Sequence, residues 1–420
     1  SVNTGSGTFN LLVRRGDDNN NQKNVLESWT NLCLDPMQPN YVARVIGDKK
    51  PYYTADSNGN PIVDTSGSFA NQSLYVRVAS VATPNVDSFD GNGNFKSGSY
   101  GSTLPVVGSG SFTGGVAATT LAQKMGETID ENNIQGFTTG SYTTAINLLA
   151  NKETFQFNVL AVPGITLKSH TSTAQNLITV CEDRGDAIAI VDTCKYGATI
   201  ADAIAGAGNK NSNYGATYWP WVDVYSSGLG RSVKVPASAV MLGVYAFNDQ
   251  VSAEWFAPAG LNRGGIPSVI NAERKLSQAD RDNLYTFNVN PLATFPGTGV
   301  CVWGQKTMQR KPTALDRVNV RRLLIALKGF IGGISRTLVF EQNTTVTRNR
   351  FLAQVNPYLS SVVQRQGLYA YKVVMDDTNN TPDVVDRNQL VGQIYIQPTK
   401  TAEFIYLNFN ILPTGAVFPS

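Results

Sequence analysis

The chain has 420 residues, and its 34 basic and 31 acidic residues give a formal charge of +3. At roughly 150 residues per domain, this length predicts two or three domains, or one large domain with an insertion. Hydrophobic residues make up 42% and charged residues 15% of the chain, which excludes a disordered solvating polymer. The even balance of charge also excludes a general nucleic-acid binder.

A single histidine, His170, limits the chemistry that the chain can support. Any site with two imidazoles is impossible, and a Ser-His-Asp triad would have to include this residue. No GxSxG motif supplies a nucleophile, so we predict that His170 is a solvent-exposed loop residue. We predict no catalytic residues, no metal site and no cofactor.

The four cysteines are scattered, with no CxxC pair, so zinc fingers and a disulfide framework are both disfavoured and a reducing compartment is indicated. No apolar run is long enough for a transmembrane helix, and no signal peptide is visible. The chain starts at Ser1 without Met, which is typical of a fragment or a processed product.

The first third of the chain has two parts that differ in their sequence patterns. The patterns predict a strand over 9–13, a helix over 23–34 and a strand over 41–48. From residue 49 turn dipeptides accumulate, glycine forms a quarter of residues 84–115, and a strand is predicted over 73–80. We therefore predict three parts: 1–48 as the N-terminal part of a core, 49–140 as a variable β-rich insertion domain, and 141–420 as the C-terminal core domain.

The rest of the chain alternates helices with strands. A helix over 143–150, a strand over 154–162, a helix over 172–182 and a strand over 187–192 predict a βαβ crossover with parallel strands. A helix is predicted from Pro236 to about residue 248. The predicted fold class is therefore α/β (α+β mixed), with a mixed sheet flanked by helices in the core and a separate β-rich insertion.

The C-terminal part is the most regular. It predicts a buried strand over 299–305, an amphipathic helix with apolar residues at 320–334, a helix over 345–366 ended by Gly367, and strands over 368–376 and 393–398. The last element, 402–412, alternates strictly. We predict that it is a strand available for pairing with another subunit, with one face formed by Ile405, Leu407, Phe409 and Ile411.

Several short motifs invite ligand-binding interpretations. The segments 56–60 and 90–94 each begin with Asp followed by Ser, Asn or Gly, as calcium loops do. Gly is missing at the sixth position and Glu at the twelfth, so hairpin turns are favoured. Gly206 and Gly208 lack the further residues of a phosphate loop and fit a helix exit. Trp219 and Trp221 could stack a sugar or a base, although a buried strand anchor is the simpler interpretation.

Charge is the one uneven feature. Residues 301–350 carry ten basic and two acidic residues, so their net charge is +8 and the remainder of the chain sums to −5. A basic surface on one body and an acidic remainder fit an acidic partner or further copies of the chain. The candidates for tube or subunit contact are Arg317, Arg321, Arg322, Arg348 and Arg350. The alternative is that some of these arginines pair with acids inside the protomer or across a subunit interface.

A series of phrases in one order resembles a known family. These include YWPWV (218–222), VPASAVMLGVYAFND (235–249), WFAPAGLNRGGI (255–266), DRVNVRRLL (316–324) and PTGAVF (413–418). The series is similar to the contractile tail sheath proteins of myovirus-type bacteriophages, which are related to R-type pyocin and type VI secretion sheaths. Residues 31–48 resemble the N-terminal core segment of the family, and 49–140 match nothing specific.

The resemblance implies a structural protein of the virion tail, not an enzyme. It implies hexameric rings that stack as a helical sheath around a tail tube protein and contract to drive the tube through the host envelope. Assembly in the host bacterial cytoplasm, contacts with baseplate and tail terminator proteins, and terminal arms that add strands to neighbouring subunits are implied as well. Neither direct nucleic-acid binding nor membrane insertion is expected. The alternative is a carbohydrate-binding or adhesive β protein of a virion or cell surface.

Overall fold

The structure is a computed structural model, and it describes residues 1–18, 23–57, 59, 61–81, 92, 104–112, 124–130, 138–208, 210–228 and 230–403. The chain forms two compact units, 1–119 and 120–420.

The first unit is built on a small antiparallel sheet. Strands β1 (Val2–Asn3), β2 (Thr8–Arg14) and β3 (Val25–Cys33) follow one another in space, and a short helix α1 (Val42–Ile46) comes next. A hairpin of β4 (Lys50–Ala55) and β5 (Pro61–Ser66) encloses the turn at Gly59, as the turn signals predict.

For two segments of this unit the predicted type of secondary structure is wrong, and a third predicted element is absent. Residues 23–34 form β3 instead of a helix, because pairing with β2 overrides a weak helical spacing of apolar residues. Residues 41–48 form α1 instead of a strand, and the helix ends at Gly47, whose φ of 106° excludes most other residues. Residues 73–80 are not a strand.

The segment after the β4–β5 hairpin is held by β3 and α1 instead of by a ladder. The Glu27 carboxylate accepts hydrogen bonds from Ser73 Oγ at 2.6 Å and from the backbone N–H of Leu74 at 2.9 Å. Val76 and Val78 pack on the cluster that surrounds Leu32. Residues 1–48 and part of 49–119 therefore share one hydrophobic core, while the predicted three-part division of the whole chain stays a prediction.

The second unit contains nearly all the regular structure. In chain order its elements are α2 (Thr139–Leu148), β6 (Val159–Thr166), α3 (Thr171–Arg184), β7 (Ile188–Asp192), α4 (Ile200–Ala207), β8 (Gly215–Trp219), β9 (Val222–Ser226), β10 (Arg231–Val235), α5 (Ala237–Val251), β11 (Val269–Ala272), α6 (Gln278–Thr286), β12 (Val289–Phe295), β13 (Gly299–Val302), α7 (Val318–Arg336), α8 (Thr345–Gln364), β14 (Leu368–Val374), α9 (Pro382–Asp386) and β15 (Gln393–Pro398).

A five-stranded mixed sheet organises this unit. Its strand order is β6-β7-β8-β12-β13, with the first four strands parallel and β13 antiparallel to β12. The predicted βαβ crossover is confirmed, since β6 and β7 are parallel neighbours joined through α3. Strand β6 extends through Pro163 and Gly164, beyond its predicted end. The predicted mixed α/β class is confirmed.

Helices cover both faces of the sheet. Alternate residues of β7 divide between the faces: Ile188 and Ile190 contact the Met241 side of α5, whereas Ala189 and Val191 contact the Ile178 side of α3. Burial on both faces explains the nearly continuous apolar sequence of these strands. Trp219 and Trp221 are buried, which confirms their role as strand anchors and leaves neither ring available to stack a ligand.

The C-terminal helices form a second layer with the β14–β15 hairpin. The predicted apolar stripe of α7 is confirmed, and Leu323 and Leu327 pack with Val355 and Leu359 of α8. The left-handed residue after α8 is Gln366, with φ of 63°, and not the predicted Gly367. Gly367 is required for space, because a Cβ there would lie 2.6 Å from Val362 Cγ1 and 3.1 Å from the Trp255 ring.

Two helical glycines provide a matched test of how closely α4 and α5 pack on their neighbours. A Cβ on Gly206 in α4 would lie 2.3 Å from the carbonyl oxygen of Thr193, whereas a Cβ on Gly243 in α5 would meet nothing within 4 Å. We expect Gly206→Ala to lower the melting temperature. Gly243→Ala should be neutral or stabilise by up to about 1 kcal/mol through helix propensity. Thermal unfolding monitored by circular dichroism measures both, and equal effects would contradict the assigned packing.

Candidate assembly site

The β14–β15 hairpin forms a two-stranded antiparallel sheet. Tyr371 lies opposite Ile396 and Val373 lies opposite Ile394, and these four side chains face the helical layer. The Tyr371 hydroxyl donates to the carbonyl oxygen of Asn356 at 3.0 Å, which ties the hairpin to α8. Among the described residues, neither strand pairs with a third strand, so both edges of the hairpin present unpaired backbone groups.

The chain leaves the hairpin along residues 399–403, which carry their own set of contacts. Thr399 donates its backbone N–H to the Gly367 carbonyl at 3.2 Å and its hydroxyl to the Gln366 carbonyl at 2.8 Å. Thr401 Oγ1 accepts a hydrogen bond from Gln305 Nε2 at 2.6 Å. The segment is therefore fixed at alternate residues.

Glu403 closes this set with four hydrogen bonds to one carboxylate. Arg317 donates from Nε at 2.7 Å and from Nη2 at 3.0 Å, which is a bidentate pair. The Tyr285 hydroxyl donates at 2.9 Å, and Gln305 Nε2 donates at 3.2 Å. We call these four residues the Glu403 cluster. Burial and the nearby charge of Glu403 raise the pKa of Tyr285, so its hydroxyl remains protonated and able to donate.

Two grooves lie on either side of residues 399–403. The larger, about 960 Å³, is lined by Trp255, Phe256, Trp303 and Tyr369 together with Arg263 and Arg281. The smaller, about 540 Å³, lies against the start of α7 and the end of β15. The end of the described chain thus emerges between two concave surfaces on the hairpin side of this unit.

Of the Glu403 cluster, only Arg317 is among the residues singled out from the sequence, and there as a contact candidate. The members of the cluster are far apart in the sequence, and an isolated Glu, Tyr or Gln gives no local signal. The predicted inter-subunit strand residues Ile405, Leu407, Phe409 and Ile411 lie outside the described residues. Their role in pairing with another subunit stays a prediction.

The five basic candidates do not share one surface. Arg321 and Arg322 are only 3% and 2% exposed, so the expectation that their side chains point outward is wrong for this protomer. Both residues lie on the buried face of α7. The guanidinium of Arg321 stacks on the ring of Tyr214, and that of Arg322 stacks on the ring of Tyr245.

The buried arginines have specific polar partners. Arg322 donates from Nη1 and Nη2 to the Asp249 carboxylate at 2.8 and 2.5 Å. Arg321 donates to the backbone carbonyl of Asn213 at 3.1 Å and to its side-chain oxygen at 2.6 Å. These contacts bind α7 to α5 and to the loop before β8, so both arginines serve the protomer core.

The other three candidates differ from one another. Arg348 is largely buried and donates to Asp377 at 2.7 Å, while Arg317 belongs to the Glu403 cluster. Arg350 is 55% exposed, and its nearest acid, Glu341, lies at 4.0 Å. The alternative, that these arginines pair with acids inside the protomer, is therefore observed at 2.5–2.7 Å for Arg317, Arg322 and Arg348 and at 4.0 Å for Arg350. Only Arg350 keeps a largely exposed guanidinium.

A separate polar cavity lies at the carboxyl ends of β6 and β7. It has a volume of about 420 Å³ and is lined by Lys124, Lys168, Lys195, Glu127, Asp130 and Asp202. Lys168 pairs with Asp202 at 2.5 Å and Lys195 with Glu127 at 3.0 Å, so the charges are matched internally. Such pairing leaves no excess charge to select an anion or a cation.

His170 lies beside this cavity, and the prediction that it is solvent-exposed is wrong. The residue is buried at the start of α3, where its Nδ1 accepts a hydrogen bond from the backbone N–H of Thr166 at 3.0 Å. Burial lowers its pKa, and the backbone of Glu127 partly opposes this. The side chain thus stabilises the β6–α3 turn through its bond to Thr166.

Asp192, at the end of β7, is a second buried titratable group at this edge. Its carboxylate accepts hydrogen bonds from the backbone N–H of Ser238 at 3.0 Å and from Ser238 Oγ at 2.6 Å, which caps α5. Burial raises the pKa of Asp192 to about 6, against partial opposition from the hydrogen bonds of Ser238 and Gly164.

Two features that would indicate other classes of protein are absent from the described residues. Across the described ranges, no group of three or more His, Cys, Asp or Glu side chains is arranged to hold a metal ion. No described helix combines the length and apolarity needed to cross a bilayer.

Two domains of one family match this chain in sequence order. The phage tail sheath protein central domain matches residues 135–308, and the phage tail sheath C-terminal domain matches residues 310–412. The chain is 36% identical over 249 residues to the tail sheath protein of Vibrio phage KVP40, which covers 59% of this chain and 37% of that relative. It is 44% identical over 184 residues to the tail sheath protein of Enterobacteria phage T4, which covers 44% of this chain and 28% of the relative.

A solved structure agrees with these sequence matches. The contracted sheath complex of an extracellular contractile injection system, PVC, aligns with a TM-score of 0.56 and 25% identity, covering 65% of this chain and 75% of that one. These matches define a class of phage structural proteins that form contractile sheaths. The chain belongs to the phage tail sheath family. It spans about a third of the length of the two curated relatives.

The buried position of Arg322 leads to a direct comparison with Arg350. Arg322→Ala leaves Asp249 without its bidentate partner and opens a void beside Tyr245, so we expect a loss of about 1–3 kcal/mol in the free energy of unfolding. Arg350→Ala, at an exposed and weakly paired site, should change it by less than about 0.5 kcal/mol. Urea unfolding of the two variants measures the difference, and equal small effects would show that Arg322 does not support the core.

Asp192 leads to a pH-dependent prediction. The folded state, with a pKa of about 6, binds this proton more tightly than the unfolded state at 3.8. The contribution of Asp192 to stability is therefore fully present below pH 4 and is lost as the pH rises through 6. Compared with Asp192→Asn, the wild type should lose on the order of 1–3 kcal/mol between pH 4 and pH 7. Urea unfolding at several pH values tests this, and a constant difference between the two proteins would contradict it.

Proposed function

We propose that this chain is a structural subunit of a contractile phage tail sheath. The subunits polymerise as hexameric rings stacked in a helical sheath around the tail tube and contract to drive the tube through the host envelope. The main support is the match of residues 135–412 to the central and C-terminal sheath domains. As a virion component assembled in the host cytoplasm, the subunit also meets baseplate and tail terminator proteins. It performs no catalysis and needs no cofactor.

Subunit pairing through strand addition is the contact that this structure supports best. The β14–β15 hairpin offers two edges with unpaired backbone groups on a well-packed base. The alternating sequence of 402–412 predicts a strand of suitable length in the same chain. In this mode of recognition, main-chain hydrogen bonds supply affinity and alternate side chains supply specificity. A segment that pairs with a neighbour, and not with its own hairpin, links the subunits in a continuous network.

We assign contact with the tail tube to the exposed basic residues of the C-terminal helices. Of the original candidates, Arg350 has the exposure that contact with an acidic tube requires. Arg321, Arg322 and Arg348 act indirectly, because they fix the helices that carry the exposed cations. An exposed ion pair contributes only about 0.2–1 kcal/mol, so repetition over many subunits would supply the affinity while each contact could still be released.

The proposed strand addition is tested by changing one face of 402–412 in the full-length protein. Replacing Ile405, Leu407, Phe409 and Ile411 together with Ser should abolish polymers, because the apolar contacts that fix the register of the added strand are lost. The matched control replaces Asn408 and Asn410, on the opposite face, with Ser and should polymerise normally.

Polymers are measured by sedimentation and by negative-stain electron microscopy, and circular dichroism verifies that each protomer is folded. Normal sheaths from the fourfold variant would contradict strand addition by this segment. Failure of the wild type to form any tubular polymer with its tube would contradict the sheath function itself.

A further inference from the structure

The carboxylate of Glu403 accepts hydrogen bonds from three different parts of the second unit. Arg317 is the N-cap residue of α7, which belongs to the helical layer. Tyr285 lies on α6, and Gln305 follows β13 at the edge of the mixed sheet. A single side chain from the C-terminal segment therefore has partners in both layers.

The cluster extends from Gln305, which is 3% exposed, to the rim of the unit. The side chains of Arg317 and Glu403 are 25% and 18% exposed, and the two grooves adjoin them. Because Arg317 and Glu403 are already in contact with solvent, their ion pair can break without unfolding the layers beneath it. A charged, multiply bonded contact in such a place is suited to fixing the position of a segment that must also be able to move.

Glu403 is also the second residue of the segment assigned above to strand addition, 402–412. Hydrogen bonds of Thr399 and Thr401 hold the chain before Glu403, and the hydrogen bonds of Glu403 hold the last described residue. The direction in which the following residues leave the protomer is then set by where this carboxylate is held. Preorganising a segment reduces the conformational entropy that is lost when it binds.

We propose that the Glu403 cluster is a latch that positions the root of the C-terminal segment, and that sheath assembly requires the latch to be closed. The latch is a property of the protomer, whereas its effect on assembly rests on the sheath function proposed above. Glu403 is a positioning residue, because it fixes the segment that makes the contact between subunits.

Trypsin provides a direct measurement of the latch in the protomer. Lys400 is exposed, and cleavage after it releases residues 401–420. A bound protease needs several residues on each side of the cleaved bond in an extended form, which the contacts of Thr401 and Glu403 prevent. In Glu403→Gln, cleavage after Lys400 should be about tenfold faster. Loss of a hydrogen bond to a charged group should raise the population of the open, cleavable form of residues 399–403 by at least about tenfold. Mass spectrometry of the released peptide follows this single site.

Three further variants complete the protease experiment. Tyr285→Phe removes one of the four hydrogen bonds and should accelerate cleavage by a smaller factor. Thr401→Ala tests the neighbouring anchor with a change that adds no bulk. Glu341→Gln, at an exposed acid outside the cluster, should leave the rate unchanged. An unchanged rate in both Glu403→Gln and Thr401→Ala, in proteins with wild-type melting temperatures, would overturn the latch.

Assembly is measured separately in the same full-length variants. We expect Glu403→Gln to reduce the yield of sedimentable polymer severalfold, while Glu341→Gln polymerises as the wild type does. Faster cleavage with normal polymer yield would overturn the requirement for assembly. If the wild type itself forms no polymer, the sheath function fails, but the cleavage rates still decide whether the latch exists.

Discussion

Burial of the parallel sheet on both faces is the constraint on which the second unit depends. Strands β6, β7, β8 and β12 have few polar residues that could face water, so helices must cover both sides. That requirement fixes α3 on one face and α5 on the other. It also explains why Asp192 is buried, since it lies where β7 ends beneath the start of α5. The β14–β15 hairpin packs on α8 instead and keeps both of its edges unpaired among the described residues.

Much of this architecture could be predicted from the sequence, because the second unit follows local rules. The crossover between β6 and β7, the helix that begins after Pro236 and the stripe of α7 all have the expected periodicity. The first unit is less predictable. There, β3 and α1 exchange their predicted types, because a nine-residue strand and a five-residue helix are decided by their neighbours and not by their own propensities.

The candidate site shows the limit of sequence reasoning more clearly. A count of charges identifies a basic region, but it cannot separate a buried guanidinium from an exposed one. Arg321 and Arg322 follow one another, and both point inward because each finds a tyrosine ring and an oxygen acceptor at distant positions. The Glu403 cluster is likewise formed by contacts across 86 to 118 positions of chain. Neither feature has a local pattern.

The geometry of the hairpin has a mechanical consequence. Its two strands keep their register over five residue pairs, from Ala370 to Val374, and a strand added at either edge would form a ladder of similar length. Tension applied along the strands would load all the hydrogen bonds of such a ladder at the same time, in shear. Tension applied across them would break the bonds one after another, as in unzipping. A sheath that transmits force through ladders aligned with the pull would therefore resist rupture far better than the strength of any one bond suggests.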